Sequence, residues 1–306
     1  MNNIKEATMQ MGLRVNNSNT LEKEFAASLK DEKFRNLVKK IDLPVEILMK
    51  YTSLLEESAC EYDNCQNCKN IFECKNKSKG YAYLPKIQND KLAFKFKACK
   101  YQEKIMADTA FKNNITLYQT PEGILEADMK KINLKDAARF DTIEWLTKFV
   151  NSYPKVTKGL YLHGNFGSGK SYLINAAFCE LAKKGYKSTI VFWPEFLRDL
   201  KSYFGNDLEY KSIISRIKNT PLLFIDDIGA ENVTPWGRDE ILSTILQYRM
   251  DNKLCTFFSS NFDINDLEKH LSITKEGYEI VTARRITERI KQLTEDAQLI
   301  SKNLRS

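Results

Sequence analysis

The chain has 306 residues and a mass of 35.5 kDa, 42% apolar and 28% charged, which suits two globular domains better than one. A mean hydropathy of -0.45, with no apolar run near the roughly 18 residues that a spanning helix needs, argues against a helical membrane protein. The first residues, MNNIKEATMQMGLRVNN, lack the apolar stretch of a signal peptide, so the expected location is cytoplasmic. Forty-seven basic against forty acidic side chains leave +7, an excess that permits nucleic-acid contact without requiring it.

Residues 1–59 carry helical periodicity. LEKEFAASLKDEKFRNLVKKI repeats apolar positions every three or four residues, and LPVEILMKYTSLLEES follows beyond Pro44. Residues 60–104 hold five of the seven cysteines, several aromatics and short alternating stretches. In KLAFKFK the alternation puts Leu92, Phe94 and Phe96 on one side of a strand and lysines on the other. The ten lysines against five acids in 61–104 read as a solvated face. Residues 105–132 are polar and weakly patterned around Pro121 and Gly123, and read as a linker between a domain at 1–104 and one at 133–306.

From about 133 strands and helices alternate. GLYLH (159–163), STIVF (188–192), LLFI (222–225) and Thr256–Ser260 read as strands. Ser171–Lys184, a segment beginning at Glu195, and Asp239–Met250 read as helices. This order predicts an α/β domain whose parallel sheet is covered by helices on both faces.

Gly164-Asn165-Phe166-Gly167-Ser168-Gly169-Lys170-Ser171 fits the phosphate-loop pattern G-x-x-x-x-G-K-[ST], between a predicted strand and a predicted helix. Glycines let backbone N–H groups curl around phosphates, and the following helix offers its positive N-terminal end. Lys170 can reach the terminal phosphates of ATP, and the Ser171 hydroxyl can ligate Mg²⁺. Asp226 and Asp227 end the strand that lies 56 residues beyond Lys170. After such a loop, Asp226 has a place in the Mg²⁺ shell, and Asp227 can take a proton from the attacking water. Asn261 follows the strand ending in Ser259-Ser260, where its amide could meet the γ-phosphate and the water. In ARRITERI, Arg285 and Arg289 lie one helical turn apart and share a face, which is either an ordinary basic face or an arginine finger for a neighbouring subunit.

The strings LYLHGNFGSGKSYLI, LLFIDDIGAENVTPWGRDEIL, LQYRM, TFFSSNFD and ARRITERI, in this order, resemble the AAA+ ATPases and, among them, the DnaI-type primosomal helicase loaders, relatives of the DnaC loaders. The resemblance is strong over about 155–290 and extends to the N-terminal helices followed by cysteines. It implies an AAA+ fold behind a small helical and zinc-ribbon-like domain. It also implies an ATP-dependent protein that delivers the hexameric replicative DNA helicase onto single-stranded DNA, with other primosome proteins and with self-assembly on the helicase. The N-terminal domain would bind the helicase. Carried over by position, Lys170 and Ser171 take the Walker A roles, Asp226 and Asp227 the Walker B roles, and Asn261 the sensor 1 role. Arg285 takes the finger role, with Arg284 as the alternative register. One departure from the wider AAA+ pattern is that only 16 residues follow Ile290, too few for the usual helical lid. The expectation is a less enclosed nucleotide and slow turnover until a partner completes the site.

Cys65-x2-Cys68-x5-Cys74, with Cys99 further on, has the spacing of a zinc-ribbon-like site, and a cytosolic cluster of this kind more often holds Zn²⁺ than disulfides. Some DnaI-type proteins use a histidine eight residues past the third cysteine, where this chain has Ala82. The fourth ligand is then Cys99 or Cys60. Cys99 is preferred, because it ends the KLAFKFKAC strand and matches a cysteine that family members carry there. Two further readings compete with the loader. One is a transposase-helper ATPase, which lacks an N-terminal zinc module; the other is an adaptor that ATP switches without hydrolysis.

Overall fold

The computed structural model describes residues 18–89, 91–132 and 136–304. They fall into two compact units, one up to Thr109 and one from Ala110.

In the first unit, helices α1 (Ser18–Ser28), α2 (Glu32–Val38), α3 (Val45–Leu48) and α4 (Thr52–Gln66) precede an antiparallel hairpin, β1 (Tyr81–Gln88) and β2 (Lys91–Ala98). Helix α5 (Lys100–Thr109) follows. Asp31 caps α2, its carboxylate accepting the Lys33 N–H at 2.7 Å. Phe25, Phe34, Leu37, Leu48, Leu55, Ala59 and Leu92 form the core. The buried carboxylate of Glu61 ties α4 to β1 by accepting the N–H of Tyr83 at 2.5 Å and of Lys77 at 3.3 Å. The alternation expected in β2 fades along the strand. Leu92 is buried and Phe94 half-buried, but Phe96 is exposed, its ring 5.1 Å from that of Tyr83 across the hairpin.

The second unit is built on one six-stranded sheet, every neighbouring pair parallel. Its strands are β3 (Ile115–Tyr118), β4 (Gly159–His163), β5 (Ser188–Phe192), β6 (Leu222–Asp226), β7 (Cys255–Ser260) and β10 (Thr294–Gln298), in the spatial order β10-β4-β7-β6-β5-β3. The minor hairpin β8 (Ile273–Thr274) and β9 (Gly277–Tyr278) stands apart from it. Between the strands run α6 (Phe140–Ser152), α7 (Lys170–Lys183), α8 (Trp193–Leu200), α9 (Asp207–Asn219), α10 (Ser243–Asp251), α11 (Ile264–Ser272) and α12 (Ile280–Leu293). A π-helical stretch, Trp236–Leu242, leads into α10.

The central strands are apolar without alternation because both their faces are covered. In β6, Leu222 and Phe224 join a core with Phe149, Ile174 and Phe178, while Leu223 and Ile225 join another with Phe196, Ile245, Ile286 and Ile290. Each such side chain removed from water stabilises the fold by about 2 kcal/mol. Arg249 is wholly buried and surrounded by oxygen acceptors. It donates to the carbonyls of Ile217, Lys218, Thr220 and Cys255 and to the Thr256 hydroxyl, joining the end of α9 to the start of β7.

One expectation from the sequence is corrected. Residues 110–132 belong to the second unit, since β3 forms a sheet edge beside β5, and Leu125, Ala127 and Ile132 pack into its core. Their apolar residues sit in a four-residue strand and short 3₁₀ turns, neither long enough to show a period. The residues after Ile290 finish α12 and supply β10, which pairs with β4 from Thr294↔Gly159 to Gln298↔His163. Among the described residues no helix is long and apolar enough to cross a membrane.

Candidate functional site

Because the sheet is parallel, the carboxyl ends of its strands emerge on one edge, and the predicted motifs follow three of those ends. The phosphate loop leaves β4 and enters α7 at Lys170. Gly167 and Gly169 adopt φ of 72° and 92°, in the left-handed region that glycine enters without steric cost. Asp226 ends β6, and Asp227 turns the chain away with a φ of 59°. Ser259 and Ser260 end β7, and Asn261 follows.

Lys170 Nζ donates to the carbonyls of Gly164 and Asn165 and to Asn261 Oδ1, each at 2.9 Å. The Asn261 amide in turn donates to Asp227 Oδ1 at 3.2 Å. The Ser171 hydroxyl donates to Asp226 Oδ1 at 2.6 Å, and the Ser259 hydroxyl donates to the same oxygen. Ser259 also accepts the Asp227 N–H at 2.9 Å, so one buried hydroxyl sets both acids. Burial pushes the Asp226 carboxyl above the usual range, and the Ser171 and Ser259 hydroxyls pull it back. These groups, with Phe166, Gly167, Gly169, Tyr172, Phe192 and Leu304, line a cavity of about 330 Å³.

The structure thus brings Lys170, Ser171, Asp226, Asp227 and Asn261 into one cavity with the phosphate loop. The Ser171 hydroxyl and the Asp226 carboxylate are hard oxygen donors of the kind Mg²⁺ prefers, and they are already adjacent. Arg285 is not in the cavity wall; it sits exposed on α12. Its neighbours are engaged within the chain, Arg284 beside Glu268 at 3.4 Å and Arg289 donating to the Ser243 hydroxyl at 2.5 Å. Sequence reasoning missed Ser259, Tyr172, Phe192 and Leu304. None left a distinct signal: Ser259 is one of two serines closing a strand that also holds Thr256.

Cys65, Cys68, Cys74 and Cys99 line a second cavity, of about 370 Å³, inside the first unit. Cys65 lies in the last turn of α4 and Cys99 follows β2, held by its N–H to the Gly80 carbonyl at 2.8 Å. The Asn76 amide and the Gly80 N–H point at the sulfurs of Cys65 and Cys74, both at 3.4 Å. Burial raises the Cys65 thiol, with Cys74, Cys99 and Cys68 near enough to add to the effect. Cys60 is exposed and lines a different cavity with Asp31, Lys33 and Glu56. Among the described residues, no group of three or more His, Cys, Asp or Glu side chains is gathered closely enough to hold a metal ion. The donor chemistry suits Zn²⁺, but the distances do not yet form a site.

Comparison with known proteins places this geometry. The family of AFG1-like ATPases matches residues 92–274. The replicative helicase loader DnaI of Bacillus subtilis (strain 168) is 33% identical over 282 residues, covering 90% of this chain and 90% of that protein. A crystal structure of DnaI is 40% identical with a TM-score of 0.54, over 63% of this chain and 98% of the other. The crystal structure of the DnaC helicase loader shares the fold, at 22% identity and a TM-score of 0.51, over 60% of this chain and all of the other. The chain belongs to the DnaI family of replicative helicase loaders, on the scaffold of the AFG1-like ATPases.

Proposed function

We propose that this chain is an ATP-dependent loader that delivers a hexameric replicative helicase onto single-stranded DNA during primosome assembly. The observation that carries this reading is the meeting of Lys170, Ser171, Asp226, Asp227 and Asn261 at one sheet edge, in a chain alike a helicase loader over 90% of its length. Lys170 binds the terminal phosphates. Ser171 and Asp226 hold Mg²⁺, which when bound offsets the phosphate charge. Asn261 orients the attacking water, and Asp227 takes its proton. Arg285, exposed on α12 while Arg284 is engaged by Glu268, is free of the fold's own needs and serves a neighbouring copy's nucleotide. Turnover is slow in the isolated chain and rises when copies assemble on the helicase.

The first unit is the helicase-binding part, and Zn²⁺ bound by Cys65, Cys68, Cys74 and Cys99 is its structural brace. Support comes from the shared cavity and from the N–H groups directed at two of the sulfurs. Four thiolates would leave no coordination position for water, so the metal takes no part in the ATP chemistry. Metal analysis of Cys99→Ser and Cys60→Ser separates the ligands, since only loss of a true ligand releases zinc.

The deciding experiment mixes the full chain, the helicase and single-stranded DNA, and measures helicase loading with ATP. Wild type is expected to load and Asp227→Ala to bind ATP without completing loading. Undiminished loading by Asp227→Ala would identify an adaptor switched by binding alone. Brisk hydrolysis by the isolated monomer would remove the need for a partner.

A further inference from the structure

The segment after β10 does not hang free. Leu299 extends the β10 pairing, its N–H donating to the His163 carbonyl at 2.7 Å. Its own carbonyl lies so close to Gly164 that a Cβ there would stand 1.9 Å from it. Ser301 and the Asn165 side chain then bind each other twice: Asn165 Nδ2 to the Ser301 carbonyl at 2.7 Å, and the Ser301 N–H to Asn165 Oδ1 at 3.1 Å. Further on, the Leu304 N–H donates to the Gly167 carbonyl at 3.0 Å, and Leu304 reaches the cavity wall.

A buried arginine from a distant part of the sequence completes this contact. Arg139 precedes α6, and its Nη2 donates both to the Ser168 carbonyl at 3.0 Å and to the Ser301 hydroxyl at 3.2 Å. Asp136 receives the Ser301 hydroxyl and lies 3.4 Å from Arg139 Nε. The segment therefore grips the phosphate loop through the Gly167 carbonyl and the Asn165 side chain, and Arg139 adds the Ser168 carbonyl. The opposite, N–H side of such a loop is the side that phosphates use.

We propose that residues 299–304, pinned by Arg139 and Asp136, form a positioning strap that holds the phosphate loop in its binding shape from behind. A loop held in shape loses less conformational freedom when nucleotide arrives, so the strap acts on affinity rather than on the chemical step. This inference rests on the reading of the cavity as a nucleotide site.

The test uses the full chain, a chain ended after Gln298 so that β10 is kept, and the variants Ser301→Ala and Ser301→Thr. Titration with a fluorescent ATP analogue should show affinity about tenfold weaker in the shortened chain, and two- to threefold weaker in Ser301→Ala. Maximal hydrolysis should hardly change in Ser301→Ala, and Ser301→Thr, which keeps the hydroxyl, should bind like wild type. Amide hydrogen exchange over 164–171 without nucleotide should be faster in the shortened chain. Unchanged affinity with unchanged exchange would overturn the strap, and tighter binding would mark the segment as an obstruction instead. If the wild-type chain bound no nucleotide, the nucleotide reading would fall, while exchange would still decide whether the segment holds the loop.

Discussion

The two cavities of this protein are assembled by different means. In the second unit the Lys170–Asn261–Asp227 and Ser171–Asp226–Ser259 chains of hydrogen bonds are complete with protein atoms alone. They stand on strand ends whose positions the core and the parallel ladder already set. In the first unit the four cysteines come from a helix end, two loop positions and the residue after a hairpin strand, and they share a cavity without closing on one another. One site is built by packing, and the other, under the proposed zinc reading, would be completed by an ion. Loss of a part should therefore act locally in the second unit and globally in the first.

The largest expected effect follows from that contrast. Cys68→Ser, or prolonged chelation, should release zinc and unfold the first unit, because metal binding of this kind contributes on the order of 10 kcal/mol to folding. Circular dichroism and metal content report the loss, and ATP binding by the second unit should persist. Loss of ATP binding along with the metal would break the comparison. Lys170→Ala should weaken ATP affinity and hydrolysis about a hundredfold, some 3 kcal/mol, while helicase retention on a column stays intact.

A smaller effect concerns pH. Glu231 is buried four residues past Asp227, and burial raises its carboxyl from the ordinary 4.5 to about 6, against the help of the Gly229 N–H. A carboxyl raised on folding contributes fully below its unfolded pKa and loses that contribution as pH rises through about 6. Glu231→Gln should thus stabilise the protein by about 2 kcal/mol at pH 8, and the gain should disappear near pH 4.5. Thermal unfolding of both proteins across pH 4.5–8 checks the sign. The smallest effect is Ser259→Ala, which removes one bond to Asp226 and strands the Asp227 N–H. Hydrolysis should fall five- to tenfold, about 1 kcal/mol, with ATP affinity near wild type.

What could be read from the sequence follows the same division. The phosphate loop and the acids after LLFI are local strings whose function depends on strand ends, and a covered parallel sheet puts strand ends together without further information. GLYLH and STIVF were legible for the same reason, their short apolar stretches without polar alternation marking strands covered on both faces. Ser259 was not, since a serine becomes an organiser only when β7 lies beside β6. Leu304 and Arg139 were still further out of reach, because their roles depend on segments far apart in the chain arriving at one loop. The four-residue β3 was lost in a polar stretch. Among the cysteines, spacing grouped Cys65, Cys68 and Cys74. Cys99 was preferred to Cys60 as the end of the KLAFKFKAC strand, and the two line different cavities.

The pairing of β10 with β4 also sets an order of events during synthesis. The strand that carries the phosphate loop, Gly159–His163, gains its outer neighbour only from Thr294–Gln298, more than a hundred residues downstream. Until that strand emerges from the ribosome, β4 is an open sheet edge, with backbone groups unpaired and the loop unsupported. A nascent chain stalled before residue 294 should therefore be cut by protease near the loop, and release of the downstream strand should protect it.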